Sequence, residues 1–222
     1  MDHTLFENWR KFISEGMKTV DDLVSFVDEE YPEYQTDIYI RIRKEDDGPG
    51  IDFTYAFVDE SGEVLDLGWN DAFDGKVTIV PAETFPEDGP CDGAYQVKWA
   101  SAKHGWGPLL YDVATEYATK HGNGLIADRE EVSDDAREVW DYYIGSDDKG
   151  ERLRPGVTAH QLDDKQNTLT PDVEKDNCDQ YIASLGGKYN WQENALSKRY
   201  TKEPTTMAEL DRLGRLKDET KT

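Results

Sequence analysis

Residues 95–110 read YQVKWASAKHGWGPLL, and the fold is decided there. Ala94 to Ala100 has the makings of a strand, which ends near Ser101. Gly105 and Gly107 then admit positive φ and carry no side chain, so backbone N–H groups can converge on an anion. Pro108 suits the first turn of a helix, where its missing N–H costs nothing. The partial positive charge of that helix N-terminus is directed at the same anion. Lys103 and His104 could add donors, and a pyrophosphate is a natural guest. A tight strand-to-helix connection with no ligand would use the same residues, and the turn alone does not separate the two.

Downstream, Pro108 to His121 reads as a helix with Leu109, Leu110, Val113, Ala114 and Tyr117 on one face, stopped by Gly122 and Gly124. Leu125 to Ala127 is a brief strand, and Ser133 caps a further helix with Ala136, Val139, Trp140 and Tyr143 inward. Upstream, Ile38, Ile40 and Ile42 alternate with Tyr39, Arg41 and Arg43, the period of a half-buried strand. Ile51 to Asp59, Val64 to Trp69 and Lys76 to Val80 read as further strands, with a hairpin turn at Glu60-Ser61-Gly62. Two helices precede them. One starts at a capping box of Thr4 and Glu7; the other starts at Thr19, carries Asp21 and Asp22 in its first turn, and ends before Pro32. Residues 145–172 are rich in Asp, Gly, Pro and Asn and read as an irregular arm. A short helix over 173–184 and a last one from Met207 to Leu216, capped by Thr205 or Thr206, are expected beyond it.

Of the 222 residues, 36% are hydrophobic, with six Trp and twelve Tyr, enough to build a packed core and to exclude global disorder. The 48 acidic residues against 25 basic ones leave a net charge of -23, which repels phosphates and argues against nucleic acid as a partner. An acidic solvated surface accounts for the charge, and a nucleic-acid mimic is the sharper alternative. Cys91 and Cys178 match no metal or disulfide pattern. No apolar run approaches a membrane span and the first residues do not read as a signal peptide, so a cytoplasmic protein with no membrane contact is expected. Asp46, Asp47, Asp71 and Asp74 do not follow calcium-loop spacing, and no metal site is expected.

Residues 94–144 resemble the GNAT superfamily of acyl-CoA-dependent N-acyltransferases. That family holds a pyrophosphate on a loop of pattern Arg/Gln-x-x-Gly-x-Gly/Ala. Gly105 and Gly107 match its glycines, while Ala102 stands where Arg or Gln is usual. The family helix Asn-x-x-Ala-x-x-Phe-Tyr is matched by Ser133 to Trp140, with Trp140 in the place of the Tyr that protonates the departing thiolate. The phrases GWGPLLYDVATEYA (105–118) and GLIADREEVSDDAREVWDYY (124–143), together with FENWRKF and ALSKRYTK, look like small GNAT-like proteins of tailed bacteriophages.

The resemblance implies a fold of α/β (α+β) class: a GNAT-like mixed, mostly antiparallel sheet with flanking helices. It would comprise an N-terminal helical segment 1–33, a core 34–145 and a C-terminal arm with short helices 146–222. It also implies an acyl-CoA-dependent N-acyltransferase, most simply using acetyl-CoA, acting on a small-molecule or protein amine. Ser101, Lys103, His104, Gly105, Trp106, Gly107 and Pro108 would hold the co-substrate. Tyr142 and Tyr143 are the neighbouring phenols able to replace the missing tyrosine, unless they simply pack. Asp128, just past the fifth family strand, would act as a base or orient the amine, or else cap the next helix with Arg129. Trp99 and Trp106 would line a pantetheine arm or belong to the core, and Glu83, Glu87 and Asp88 would attract a cationic amine or be merely solvated. A second expectation is a catalytically degenerate module with a phage or host protein partner, in the host cytoplasm or the virion. A third, a DNA-modifying relative, conflicts with the net charge.

Overall fold

The computed structural model describes residues 18–30, 37–58, 64–65, 75–82, 93–102, 105–128, 131–144, 154–162 and 194–221. The expected helices at the N-terminus and over 173–184, the loop holding Glu83, Glu87 and Asp88, and both cysteines lie outside these residues.

Among the described residues nine strands form one sheet. They are β1 (Asp37–Lys44), β2 (Ile51–Val58), β3 (Val64–Leu65), β4 (Gly75–Pro81), β5 (Tyr95–Ala102), β6 (Leu125–Ile126), β7 (Val157–Gln161), β8 (Lys198–Lys202) and β9 (Leu216–Asp218). Their order is β7-β8-β6-β5-β4-β2-β1-β9, with β3 paired to β2 off this path. Only β5–β6 and β1–β9 are parallel, so the sheet is mixed and mostly antiparallel. Four α-helices accompany it among the described residues: α1 (Val20–Glu30), α2 (Gly107–His121), α3 (Asp134–Ile144) and α4 (Thr205–Arg212). Among the described residues no helix is long and apolar enough to cross a membrane.

The two-residue period of β1 works as expected: Ile38, Ile40 and Ile42 are fully buried, and β2 sets Phe57, Tyr55 and Phe53 opposite them. α2 lies on this inner face and is buried from Pro108 to Ala118, all round rather than along one stripe. It therefore buries two carboxylates, Asp112 and Glu116, which costs free energy unless each is paired. Both are. Asp112 accepts two hydrogen bonds from Arg154 and one from the Tyr143 hydroxyl at 2.9 Å. Glu116 pairs with Lys202 and accepts the backbone N–H groups of Thr206 and Met207.

The C-terminal third departs from expectation. Residues 157–161 are a strand, not part of an irregular arm, and β8 lies inside the sheet between β7 and β6. The inward positions of β8 are Lys198, Tyr200 and Lys202, and charged side chains at buried positions hide an alternation that apolar ones would reveal. α4 stops at Arg212, short of the expected Leu216. Gly214 takes φ +67° there and Arg215 N–H donates to the Leu210 carbonyl at 2.7 Å, the left-handed closure that glycine permits. Leu216 then begins β9 alongside β1. The segment 146–222 thus supplies strands to both ends of the sheet that 34–145 begins.

Candidate functional site

The site begins with an irregularity in β5. Its register against β4 shifts between Thr78 and Ile79, which face Trp99 and Val97, so Lys98 is the extra residue of a β-bulge. Val97 is buried, the next two side chains are exposed, and Ala100 and Ala102 turn inward again opposite Val77 and Gly75. Trp99, at 39% exposure, stands out among the large apolar side chains for this reason.

β5 then runs into the glycine turn. Gly105 takes φ +85°, a conformation open to few other residues. Its carbonyl accepts the backbone N–H of Lys18 at 2.9 Å, and the Trp106 carbonyl accepts the Tyr55 hydroxyl at 2.8 Å. The Trp106 ring is only 2% exposed and meets Tyr55 edge-on at 5.5 Å. It anchors the turn from beneath and does not line the cleft described below.

α2 starts here without a side-chain cap and with no acidic residue in its first turn. The other described helices are closed. α1 has Asp21, Asp22 and the Thr19 hydroxyl on the Asp22 N–H; α3 has Asp134, Asp135 and the Ser133 hydroxyl on the Ala136 N–H. α4 has the Glu116 carboxylate. The first residues of α2, Gly107 and Pro108, instead border a cavity of about 200 Å³, with Gly105, Ser101, Ala102, Tyr111 and Asp135 among its other walls.

A second cavity, of about 220 Å³, continues the first. Ala100, Tyr111, Ser133 and Ala136 belong to the walls of both. It exists because β5 and β6 pair only at Tyr95–Leu125 and Gln96–Ile126. Beyond Gln96 the strands part, and Val97 to Ala100 face Asp128 and Glu131 to Ser133 across the gap. The cleft-side edge of β5 is therefore free of a strand partner among the described residues, in a slot whose deep wall is Tyr111 and Trp140.

The expected site residues divide accordingly. Ser101, Gly105, Gly107 and Pro108 border the first cavity and Asp128 the second. Lys103 and His104 lie outside the described residues. Tyr143 is buried in the Asp112–Arg154 cluster, and burial together with the Asp112 charge pushes its hydroxyl well above the usual phenol range. The Tyr142 ring lies 5.5 Å from the Arg154 guanidinium. Neither tyrosine belongs to the wall of the cleft. Trp140 is buried, stacked on Tyr200 at 5.1 Å and edge-on to Tyr111 at 5.4 Å.

The phenol that does border the cleft is Tyr111, one helical turn beyond Gly107 and 3% exposed. Its hydroxyl makes no hydrogen bond among the described residues. Burial first, and the charge of Asp128 second, raise its pKa above the ordinary phenol value. The spacing of Gly107 and Tyr111 was the available signal, and the apolar stripe of α2 concealed it.

Among the described residues no group of His, Cys, Asp and Glu is arranged to hold a metal ion. No protein-family model, no curated protein and no solved structure matches the chain.

Proposed function

We propose that the cleft binds an acyl-CoA and that the chain is a GNAT-like N-acyltransferase, most simply an acetyltransferase, acting on a primary amine. The carrying observation is the uncapped N-terminus of α2, which borders a cavity that shares walls with the gap between two parting parallel strands. The residues present fit such a ligand at two points. A helix N-terminus without a side-chain cap suits a pyrophosphate, and Val77, Ala100, Ala136 and Val139 suit the apolar part of a pantetheine arm. Asp135 on the opposite wall and Ala102 in place of a cation weaken the phosphate end.

Acetyl-CoA would supply an acyl group activated as a thioester. The edge of β5 beside the bulge, which borders the cleft, would turn backbone N–H groups to a carbonyl there, where developing charge is stabilised by fixed donors. Asp128 would hold and orient the incoming amine. Tyr111 keeps its proton at neutral pH and would give it up in the slot, whose walls include neither Tyr142 nor Tyr143. Most of the rate would come from positioning.

A second reading, a GNAT-like phage module without activity that binds a phage or host protein, is favoured by one observation. Trp140, in the place of the family tyrosine, is committed to an aromatic stack with Tyr200. Calorimetric titration with acetyl-CoA separates the two. Heat that is lost in Gly107→Trp supports the transferase; no heat at millimolar ligand sinks it, and heat that survives the substitution sinks the placement of the site.

A further inference from the structure

The two cavities meet at Tyr111. The other walls they share are Ala100, Ser133 and Ala136, all small side chains that leave the passage between them open. Past that passage the second cavity is bordered by Val97, Tyr111 and Trp140, all buried, and by the half-buried Val132. These walls are braced from behind: Trp140 stacks on Tyr200 at 5.1 Å and meets Tyr111 edge-on at 5.4 Å. The charged residues Lys98 and Glu131 in the same lining are exposed and so belong to its solvent side. The space amounts to about 220 Å³. That is several times the ~30 Å³ share of a water molecule, and braced apolar walls gain most by enclosing an apolar group.

Building on the transferase reading, we infer that the second cavity takes an aliphatic acyl chain longer than acetyl, such as butanoyl or hexanoyl. With the pyrophosphate at the start of α2 and the pantetheine arm along the first cavity, the thioester would fall at the junction beside Tyr111. Whatever extends past its carbonyl then enters the second cavity. The methyl of an acetyl group would leave most of that space to water, against Val97 and Trp140. Each methylene that covers those walls instead should raise affinity about fourfold. The amine would come in from the side of Asp128, and the chain would keep to the apolar wall.

The test is titration of the intact chain with acetyl-CoA, butanoyl-CoA and hexanoyl-CoA, followed by calorimetry and by tryptophan fluorescence, since Trp140 belongs to the wall. Butanoyl-CoA is expected to bind roughly tenfold more tightly than acetyl-CoA. Val132→Phe, which fills the second cavity, is expected to erase that ratio. Val132→Ala, which widens it, is expected to move the preference toward hexanoyl-CoA. Val24→Phe adds the same bulk at an exposed position of α1 and is expected to leave the ratio alone. Equal affinity for acetyl-CoA and butanoyl-CoA, a ratio that survives Val132→Phe, or an equal loss in Val24→Phe would overturn the acyl slot and leave the transferase standing. The S-acyl-N-acetylcysteamines, thioesters without the nucleotide, separate the opposite case. If no CoA thioester binds but their butanoyl form is preferred to the acetyl form, the slot stands and the cradle at α2 falls. If neither series binds, both fall.

Discussion

Neither α2 nor α4 carries an acidic residue in its first turn, and neither has a side-chain cap of its own. Their N-termini nevertheless meet different fates. At α4 the carboxylate of Glu116, reaching across from the middle of α2, takes the N–H groups of Thr206 and Met207 at 2.8 and 2.7 Å and pairs with Lys202. At α2 the corresponding space is a cavity. One helix thus supplies the anion that closes its neighbour and leaves its own end open. In a chain with 48 acidic residues, the first turn of α2 holds none, and the carboxylate on its cavity is Asp135 of the opposite wall.

Breaking the closed end has the largest expected effect. Glu116→Ala leaves Lys202 buried without its partner and two N–H groups of α4 unsatisfied. Loss of one member of a buried ion pair costs about 3–5 kcal/mol, so the urea midpoint should fall steeply, with the m-value telling whether α4 detaches alone. A loss below about 1 kcal/mol would show that solvent or another group replaces the carboxylate.

Closing the open end should act on binding and leave stability alone. Ala102 borders the cavity, and its Cβ lies 3.7 Å from where a Cβ on Gly107 would stand. Ala102→Glu puts at α2 what Glu116 puts at α4. Acetyl-CoA affinity should drop about tenfold or more, while thermal stability holds or rises by the few tenths of a kcal/mol of a helix-end charge. Ala102→Arg should tighten binding. Opposite signs for the two substitutions are the requirement; a common sign would mean that bulk, not charge, governs the site.

The same contrast explains what could be read from residue order. The glycine turn and α2, the strands β1, β2 and β4, and the Ser133 cap follow periods and punctuation that each segment carries within itself. β8 was illegible because its inward Lys198 and Lys202 make sense only beside partners far away in the chain, Glu116 being 86 residues from Lys202. β9 has three residues and no period to show. At the site, the loop residues were legible as loop chemistry. Tyr111 was not, since a tyrosine on a buried helix becomes a cleft residue only through the parting of β5 and β6, a property of two strands together. Tyr142 and Tyr143 are near Trp140 in sequence, and the turn of α3 carries them to the Arg154 side.

Tyr111 and Tyr143 carry the comparison to single hydroxyl groups. Tyr143 belongs to the closed interior and donates to Asp112 at 2.9 Å; Tyr111 borders the open cleft with no hydrogen bond among the described residues. At neutral pH, Tyr143→Phe should cost about 1 kcal/mol by taking a donor from a buried carboxylate, and Tyr111→Phe should cost nearly nothing. Alkaline pH reverses the silence of Tyr111. Burial raises both phenols above their unfolded value of about 10, so the folded chain keeps protons that the unfolded chain has lost. Stability is then complete below about pH 10 and falls as pH rises further, by about 1.4 kcal/mol per pH unit for each such group. Removing either phenol should flatten that decline by one group's share, which urea titrations between about pH 9 and 11.5 would read out. An unchanged slope in Tyr111→Phe would mean that water reaches the phenol freely and that the cleft is wetter at its deep wall than the packing of Tyr111 on Trp140 implies.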